Sequence, residues 1–225
     1  MIRAVVFDVD GTLVKFTIDF KTVRTEVINA LVKKGIPRPV FSINESVFKT
    51  VEKAEVYMRN NGWEEKKIYE VKAAAFSIIN KHEILAASKT NLLPGVIDVL
   101  KSIREMGLKM ALFTLTGEAA VNRILQRFDL KDYFKVVVPR ERAPILKPHP
   151  AHLKEVIREL NVRENEVLVV GDSIYDVKCG KALGCIVVGV ASGISTPRKL
   201  REAGADYVLN SITELIPIIR GIKSE

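Results

Sequence analysis

Ala4-Val5-Val6-Phe7-Asp8-Val9-Asp10-Gly11-Thr12-Leu13 is the stretch that decides the fold of this chain. A continuous apolar run rich in valine stops at two aspartates one residue apart, followed by a glycine. An apolar run without polar alternation predicts a strand covered on both faces, which is the habit of parallel sheets. Ligands of such sheets collect at the carboxyl ends of the strands. An isolated Asp-x-Asp is usually a turn or a solvated pair. This one sits at the end of a buried strand and before Gly-Thr-Leu, where a catalytic role is expected.

Further along the chain, strand-sized runs recur at residues 109–114, 134–138, 166–170, 185–190 and 207–209. Helix-length segments with apolar residues three and four apart separate them, at 96–106, 119–128, 152–160, 174–183, 197–203 and 212–219. Strands alternating with helices predict an α/β fold, a Rossmann-like core with a central parallel sheet flanked by helices. The punctuation agrees. Gly107, Gly184 and Gly204 stand where helices should stop, and Pro197 where one should start. Ser211-x-x-Glu214 reads as a capping box before the last helix.

Residues 15–90 break this rhythm and contain no convincing buried strand. They predict helices over 20–34, 44–59 and 64–87, interrupted at Gly35-Ile36-Pro37-Arg38-Pro39 and Asn60-Asn61-Gly62. Val23, Val27, Ala30 and Leu31 mark one apolar face of the first. The expected organisation is a core formed by residues 1–14 and 93–225, with an all-helical insert, 15–92, after the first strand. Leu92-Leu93-Pro94-Gly95 is the expected return point.

The 225 residues are 48% hydrophobic and 28% charged, which excludes a largely disordered chain. No apolar run approaches the roughly 20 residues needed to span a bilayer, and no signal peptide is read at the start, so a cytoplasmic protein without membrane partners is expected. Cys179 and Cys185 then read as reduced structural thiols, and two cysteines without a second pair argue against a zinc site. The net charge of +8 is spread without a basic tail or a basic-aromatic weave. It suits anionic small molecules better than nucleic acid.

The acids at the strand ends carry the chemistry. The first strand leads into Asp8 and Asp10, the second into Thr114, and the fourth into Gly171-Asp172-Ser173-Ile174-Tyr175-Asp176; Lys147-Pro148 follows the third at some distance. Carboxylates gathered at one edge repel and raise one another's pKa. A hard divalent cation relieves this, and an all-oxygen set selects Mg²⁺. A metal beside a lysine and a hydroxyl suits a phosphoryl group. There a carboxylate can act as nucleophile and a second acid as proton donor and acceptor. Gly11 lets the backbone turn sharply beside the ligand.

Asp8-Val9-Asp10-Gly11-Thr12-Leu13 resembles the first signature of the haloacid dehalogenase-like hydrolases. Leu112-Phe113-Thr114, Lys147-Pro148 and Gly171-Asp172-Ser173-Ile174-Tyr175-Asp176 match its later elements in order. Lys147-Pro148-His149-Pro150 and the stretch from Asp172 to Gly184 are similar to the phosphoglycolate-phosphatase-like branch, and the helical insert lies where the family's first type of cap lies. The resemblance implies a Mg²⁺-dependent phosphatase acting on small phosphomonoesters. Asp8 would be the phosphorylated nucleophile and a metal ligand. Asp10 would protonate the leaving oxygen, then activate water, and bind Mg²⁺ through its carbonyl. Thr114, the amide of Leu115 and Lys147, with Gly11 at the turn, would hold the phosphate. Lys147 would offset charge and orient Asp8; Asp172 would complete the metal shell, and Asp176 would support it directly or through water and Lys147. One departure is visible: Leu115 stands where the family commonly has Asn or Gly, and Thr116 is a candidate substitute.

Other residues read more plainly. His149 and His152 are expected to be ordinary helix-start residues, His82 a surface residue, and Trp63 and Tyr57 packing. Arg38 is a candidate for gripping a substrate's distal anion. Phosphoglycolate is the branch expectation for substrate, with nucleotides, sugar phosphates and pyrophosphate as rivals. A mutase, a phospho-accepting signalling domain and a nucleic-acid binder are the alternative classes, and monomer and homodimer both stay open.

Overall fold

The computed structural model describes residues 1–224. The chain divides into two compact units. One comprises Met1–Phe16 and the chain from Ala87 onward, and the other is Thr17–Ala86.

The first unit is built on six parallel strands, β1 (Ala4–Phe7), β2 (Lys109–Phe113), β3 (Val136–Val138), β4 (Val167–Gly171), β5 (Ile186–Val190) and β6 (Tyr207–Leu209). Their order is β3-β2-β1-β4-β5-β6. The chain therefore works outward from β1 to β3, then crosses back to place β4 on the other side of β1. That reversal is the switch point at which ligands of open α/β sheets bind. Phe7 pairs with Leu112 on one side and with Val170 on the other, so Asp8 leaves the sheet between β2 and β4.

Alternation of side chains sorts the strands into two apolar layers. Val5, Phe7, Leu112, Val170 and Val190 face one way, with Leu100 and Ile103 of α4 (Val96–Glu105), Val121 of α5 (Glu118–Arg127) and Ile219 of α9 (Leu215–Ser224). Ala4, Val6, Phe113, Val138 and Val169 face the other, with Leu153 of α6 (Ala151–Leu160), Val177 of α7 (Ile174–Ala182) and Leu200 of α8 (Pro197–Glu202). The near-continuous apolar strands follow from this double cover.

The second unit contains α1 (Phe20–Lys33), α2 (Val47–Asn60) and most of α3 (Glu65–Lys89), and no strand. Its core draws on Val23, Val27 and Leu31 at four-residue spacing. Ile28 joins them, while Ala30, expected on that face, is only half-buried. Trp63 and Tyr57 pack against this core. Helix α2 starts later than its apolar pattern suggests because Ser46 caps it, accepting from the Lys49 amide at 3.1 Å. Arg38 lies exposed in a short 3-10 turn, donating to the Phe41 carbonyl at 2.9 Å. His82 Nε2 lies 2.9 Å from Glu26 Oε2.

The final helix also starts late. Ser211 and Glu214 do form a capping box, but the capped segment is a 3-10 turn, Ile212–Glu214, which runs into α9. Pro217 lies in the first turn of α9, where a missing N–H is tolerated.

Candidate active site

Asp8 follows the last residue of β1, its backbone still in ladder register through its N–H on Val170 O at 2.9 Å. The chain then reverses. The amide of Leu13 returns to Val9 O at 2.9 Å, and that of Gly11 to Val14 O at 2.8 Å. Gly11 has φ +79°, and a Cβ there would lie 2.6 Å from Asp172 Oδ2 and 2.9 Å from the Gly193 backbone. Glycine is needed on both counts. The Gly11 amide is bonded to Val14 within the turn, so the position contributes the reversal and the close approach.

Asp172 follows β4 and is 2% exposed. Ser173 next to it is the N-cap of α7, and Asp176 is the third residue of that helix. They form a capping box: Asp176 Oδ2 accepts from the Ser173 hydroxyl at 2.6 Å and from its amide at 3.0 Å. This leaves Asp176 Oδ1 for Lys147, which donates to it at 2.6 Å and to Asp8 Oδ1 at 2.8 Å. Gly171 permits the arrangement, since a Cβ would lie 2.3 Å from Asp176 Cγ. Asp172 is held separately, Oδ2 accepting from the Ile194 amide at 2.7 Å.

Oxygens of Asp8, Asp172 and Asp176 lie within 4.8 Å of one another, all three side chains being buried. Lys147 is the cation the structure sets among them, and it does not balance three carboxylates. Burial pushes the Asp8 carboxyl up to about 7, with Lys147 opposing and Asp176 and Asp10 adding to the rise. Burial pushes Asp172 up to about 8, helped by the charges of Asp8 and Asp176. Burial acts to lower the Lys147 pKa, but the charges of Asp176 and Asp8 hold it above the ordinary lysine range. A buried, under-neutralised, all-oxygen set has the chemistry of a hard divalent cation site.

Asp10 lies outside that trio of carboxylates. Its Oδ2 accepts from the Thr116 hydroxyl at 2.5 Å. Thr114 is buried after β2, its hydroxyl accepting from the Thr116 amide at 3.2 Å. The Leu115 carbonyl accepts from buried Arg140 at 2.8 Å. The loop 114–116 is thus fixed from below by Arg140 and tied across to Asp10 by Thr116. His149 and His152 stand at the start of α6. His149 Nδ1 accepts from the Ala151 amide at 3.1 Å. His152 is fully buried, and burial pushes its pKa down to about 4.

Several contributors escaped the sequence. Arg140, the loop 192–195 and the Phe113 ring act through contacts distant in the chain. Ser192 Oγ donates to the Gly11 carbonyl at 2.6 Å, and Ser195 Oγ accepts from the Ile174 amide at 3.3 Å. Ser173 alone left a local signal, since Ser-x-x-Asp at a helix start is a capping-box signature.

A family model described as haloacid dehalogenase-like hydrolase matches residues 2–184. The phosphoglycolate phosphatase of Pseudomonas fluorescens is 30% identical, the match covering 96% of this chain and 79% of that one. The phosphoglycolate phosphatase of Escherichia coli K12 is 27% identical over 97% of this chain and 92% of its own. Among solved structures, a hydrolase from Pseudomonas syringae superposes with a TM-score of 0.67 at 21% identity, covering 98% of this chain and 99% of that one. A β-phosphoglucomutase from Clostridium difficile superposes with a TM-score of 0.68 at 18% identity, covering 96% and 93%. At such identities the two structures speak for the fold alone. No helix among the described residues is long and apolar enough to cross a membrane.

Proposed function

The chain belongs to the haloacid dehalogenase-like hydrolases, and we propose that it is a phosphatase hydrolysing small phosphomonoesters through a phosphorylated Asp8. The observation that carries the proposal is the Lys147 ammonium bridging Asp8 and Asp176, with Asp172 in the same buried carboxylate cluster at the sheet's switch point. The named activity of the curated relatives supports it. Phosphoglycolate is the first substrate to test.

The reaction runs in two balanced steps. Asp8 attacks phosphorus, the ester P–O bond breaks, and the Asp10 carboxyl gives its proton to the leaving oxygen. Asp10, now ionised, takes a proton from water, whose oxygen attacks phosphorus. The Asp8–phosphorus bond breaks, phosphate leaves and Asp8 is restored. Lys147 fixes Asp8 Oδ1 and balances charge near the nucleophile. Thr114 and the Leu115 amide orient the phosphoryl oxygens. Asp8, Asp172 and the Asp10 carbonyl, supported by Asp176, are the groups that would hold Mg²⁺, which supplies positive charge where phosphoryl charge accumulates. Asp176 acts chiefly through Lys147 and Ser173, since both its oxygens have partners. The insert, residues 15–92, is assigned the part of a cap that selects substrate, on its place in the chain alone.

Phosphate release from p-nitrophenyl phosphate and from phosphoglycolate tests this reading. EDTA should silence the protein and Mg²⁺ restore it, and Asp8→Asn should abolish turnover with the fold intact. Full activity in Asp8→Asn, or turnover without metal, overturns the respective assignment. Return of the phosphoryl group to substrate without phosphate release would identify a mutase instead.

A further inference from the structure

We propose that Phe113 is a positioning residue for Lys147, its ring face completing the set of contacts that holds the lysine ammonium beside the nucleophile. The proposal rests on the function given above. Lys147 Nζ sits 3.6 Å from the centroid of the Phe113 ring. The lysine side chain is 2% exposed and Phe113 is fully buried. An ammonium has three N–H donors. Two go to Asp8 and Asp176. A buried donor left without a partner is costly, and the negative face of an aromatic ring attracts a cation most strongly where water is excluded.

The ring itself is braced. His152 meets it edge-on, centroids 5.7 Å apart and planes at 73°. His152 Nε2 donates in turn to the Val138 carbonyl at 3.1 Å, so the brace is anchored on β3. On the face of β2 that Phe113 shares, the other strand residue is the aliphatic Ala111. An aromatic ring adds a contact that an aliphatic one lacks.

The contact matters because the charge on Asp8 changes during turnover. Once Asp8 carries the phosphoryl group, its carboxylate no longer attracts Lys147 as before. The attraction of the ring does not depend on the state of Asp8. Together with the Asp176 carboxylate, which also keeps its charge, Phe113 holds the ammonium in place through both half-reactions.

The test is a series of Phe113 replaced by mono-, di- and trifluorinated phenylalanine, in which the negative ring face weakens stepwise while shape is nearly kept. With p-nitrophenyl phosphate, at a temperature where every variant is fully folded, kcat should fall stepwise by about tenfold overall, the scale of a desolvated cation–ring contact, with KM unchanged and the melting temperature falling in step, since the same contact is made in the resting fold. The same rings at Phe134, away from the lysine, should leave kcat unaltered. A flat Phe113 series, or an equal fall at Phe134, overturns the proposal even if Phe113→Leu is inactive or unfolded. Lys147→Ala separates the two levels. If it is inactive while the fluorine series is flat, only the ring contact fails. If it is fully active, the reading of the site fails and the proposal with it.

Discussion

The Thr116 hydroxyl donates to Asp10 Oδ2 across 2.5 Å, joining two loops whose residues lie 106 apart in the chain. A hydrogen bond to a charged group is worth about 1.5–3 kcal/mol, and this one orients the proposed proton donor. Thr116→Val should lower kcat for p-nitrophenyl phosphate by about ten- to a hundredfold with little change in KM. Thr116→Ser should retain most activity. An unchanged kcat in the valine variant would show that Asp10 is held by other means.

Gly193 touches the acid cluster through the absence of a side chain. A Cβ there would lie 1.9 Å from Asp172 Oδ2. Gly193→Ala should displace the Asp172 carboxyl and raise the Mg²⁺ concentration needed for half-maximal activity by about tenfold, the effect typical of disturbing a metal ligand's support. Titration of activity with Mg²⁺ measures this, and an unaltered requirement would remove Asp172 from the metal set.

Stability should depend on pH in a direction the cluster dictates. Asp8 and Asp172 are raised from 3.8 to about 7 and about 8 in the fold. The native state thus binds more protons than the unfolded one between these values, and stability falls as pH rises through them. Buried His152, lowered from 6.5 to about 4, works the other way, losing stability as pH falls below 6.5. Between pH 6.5 and 8 the carboxyls act without it. In EDTA the melting temperature should drop across that window, and Mg²⁺ should restore it increasingly toward pH 8. A melting temperature independent of pH in EDTA would contradict the assignment of these shifts.

A cap remote from the chemistry offers a contrast. Ser211 Oγ accepts from the Thr213 amide at 3.3 Å, and Glu214 Oε1 accepts from the Ser211 amide at 2.9 Å. Ser211→Ala should lower the urea midpoint by the equivalent of about 1 kcal/mol and leave kcat and KM unaltered. Loss of activity at unchanged stability would mean that this end of the sheet communicates with the site.

The inner strands were legible because burial on both faces needs an unbroken apolar run, whereas the edge strand β6, with Tyr207 exposed, showed only as a short apolar run. The ends of β1 and β4 were legible because acids interrupt such runs abruptly. The edges of elements were less so. Helix α2 waits for Ser46, and α9 begins as a 3-10 turn, because capping geometry sets the first hydrogen bond and apolar spacing does not. Loop 192–195 carries no local pattern that marks Asp172 as its partner.

From the order of residues alone came the family, the alternation of strands and helices, and the candidate acids Asp8, Asp10, Asp172 and Asp176. The family came from the resemblance of its signature motifs, and the rest depends on short-range patterns: burial periodicity, a turn glycine, and charges placed where a strand ends. Only the folded chain decided that Lys147 bridges Asp8 and Asp176, that Thr116 holds Asp10, and that Phe113 lies beneath the ammonium. Lys147 and Asp8 are 139 residues apart. Contacts of that span are set by strand order and crossover, which bring remote segments to one sheet edge, and no periodicity in the sequence encodes a distance between them.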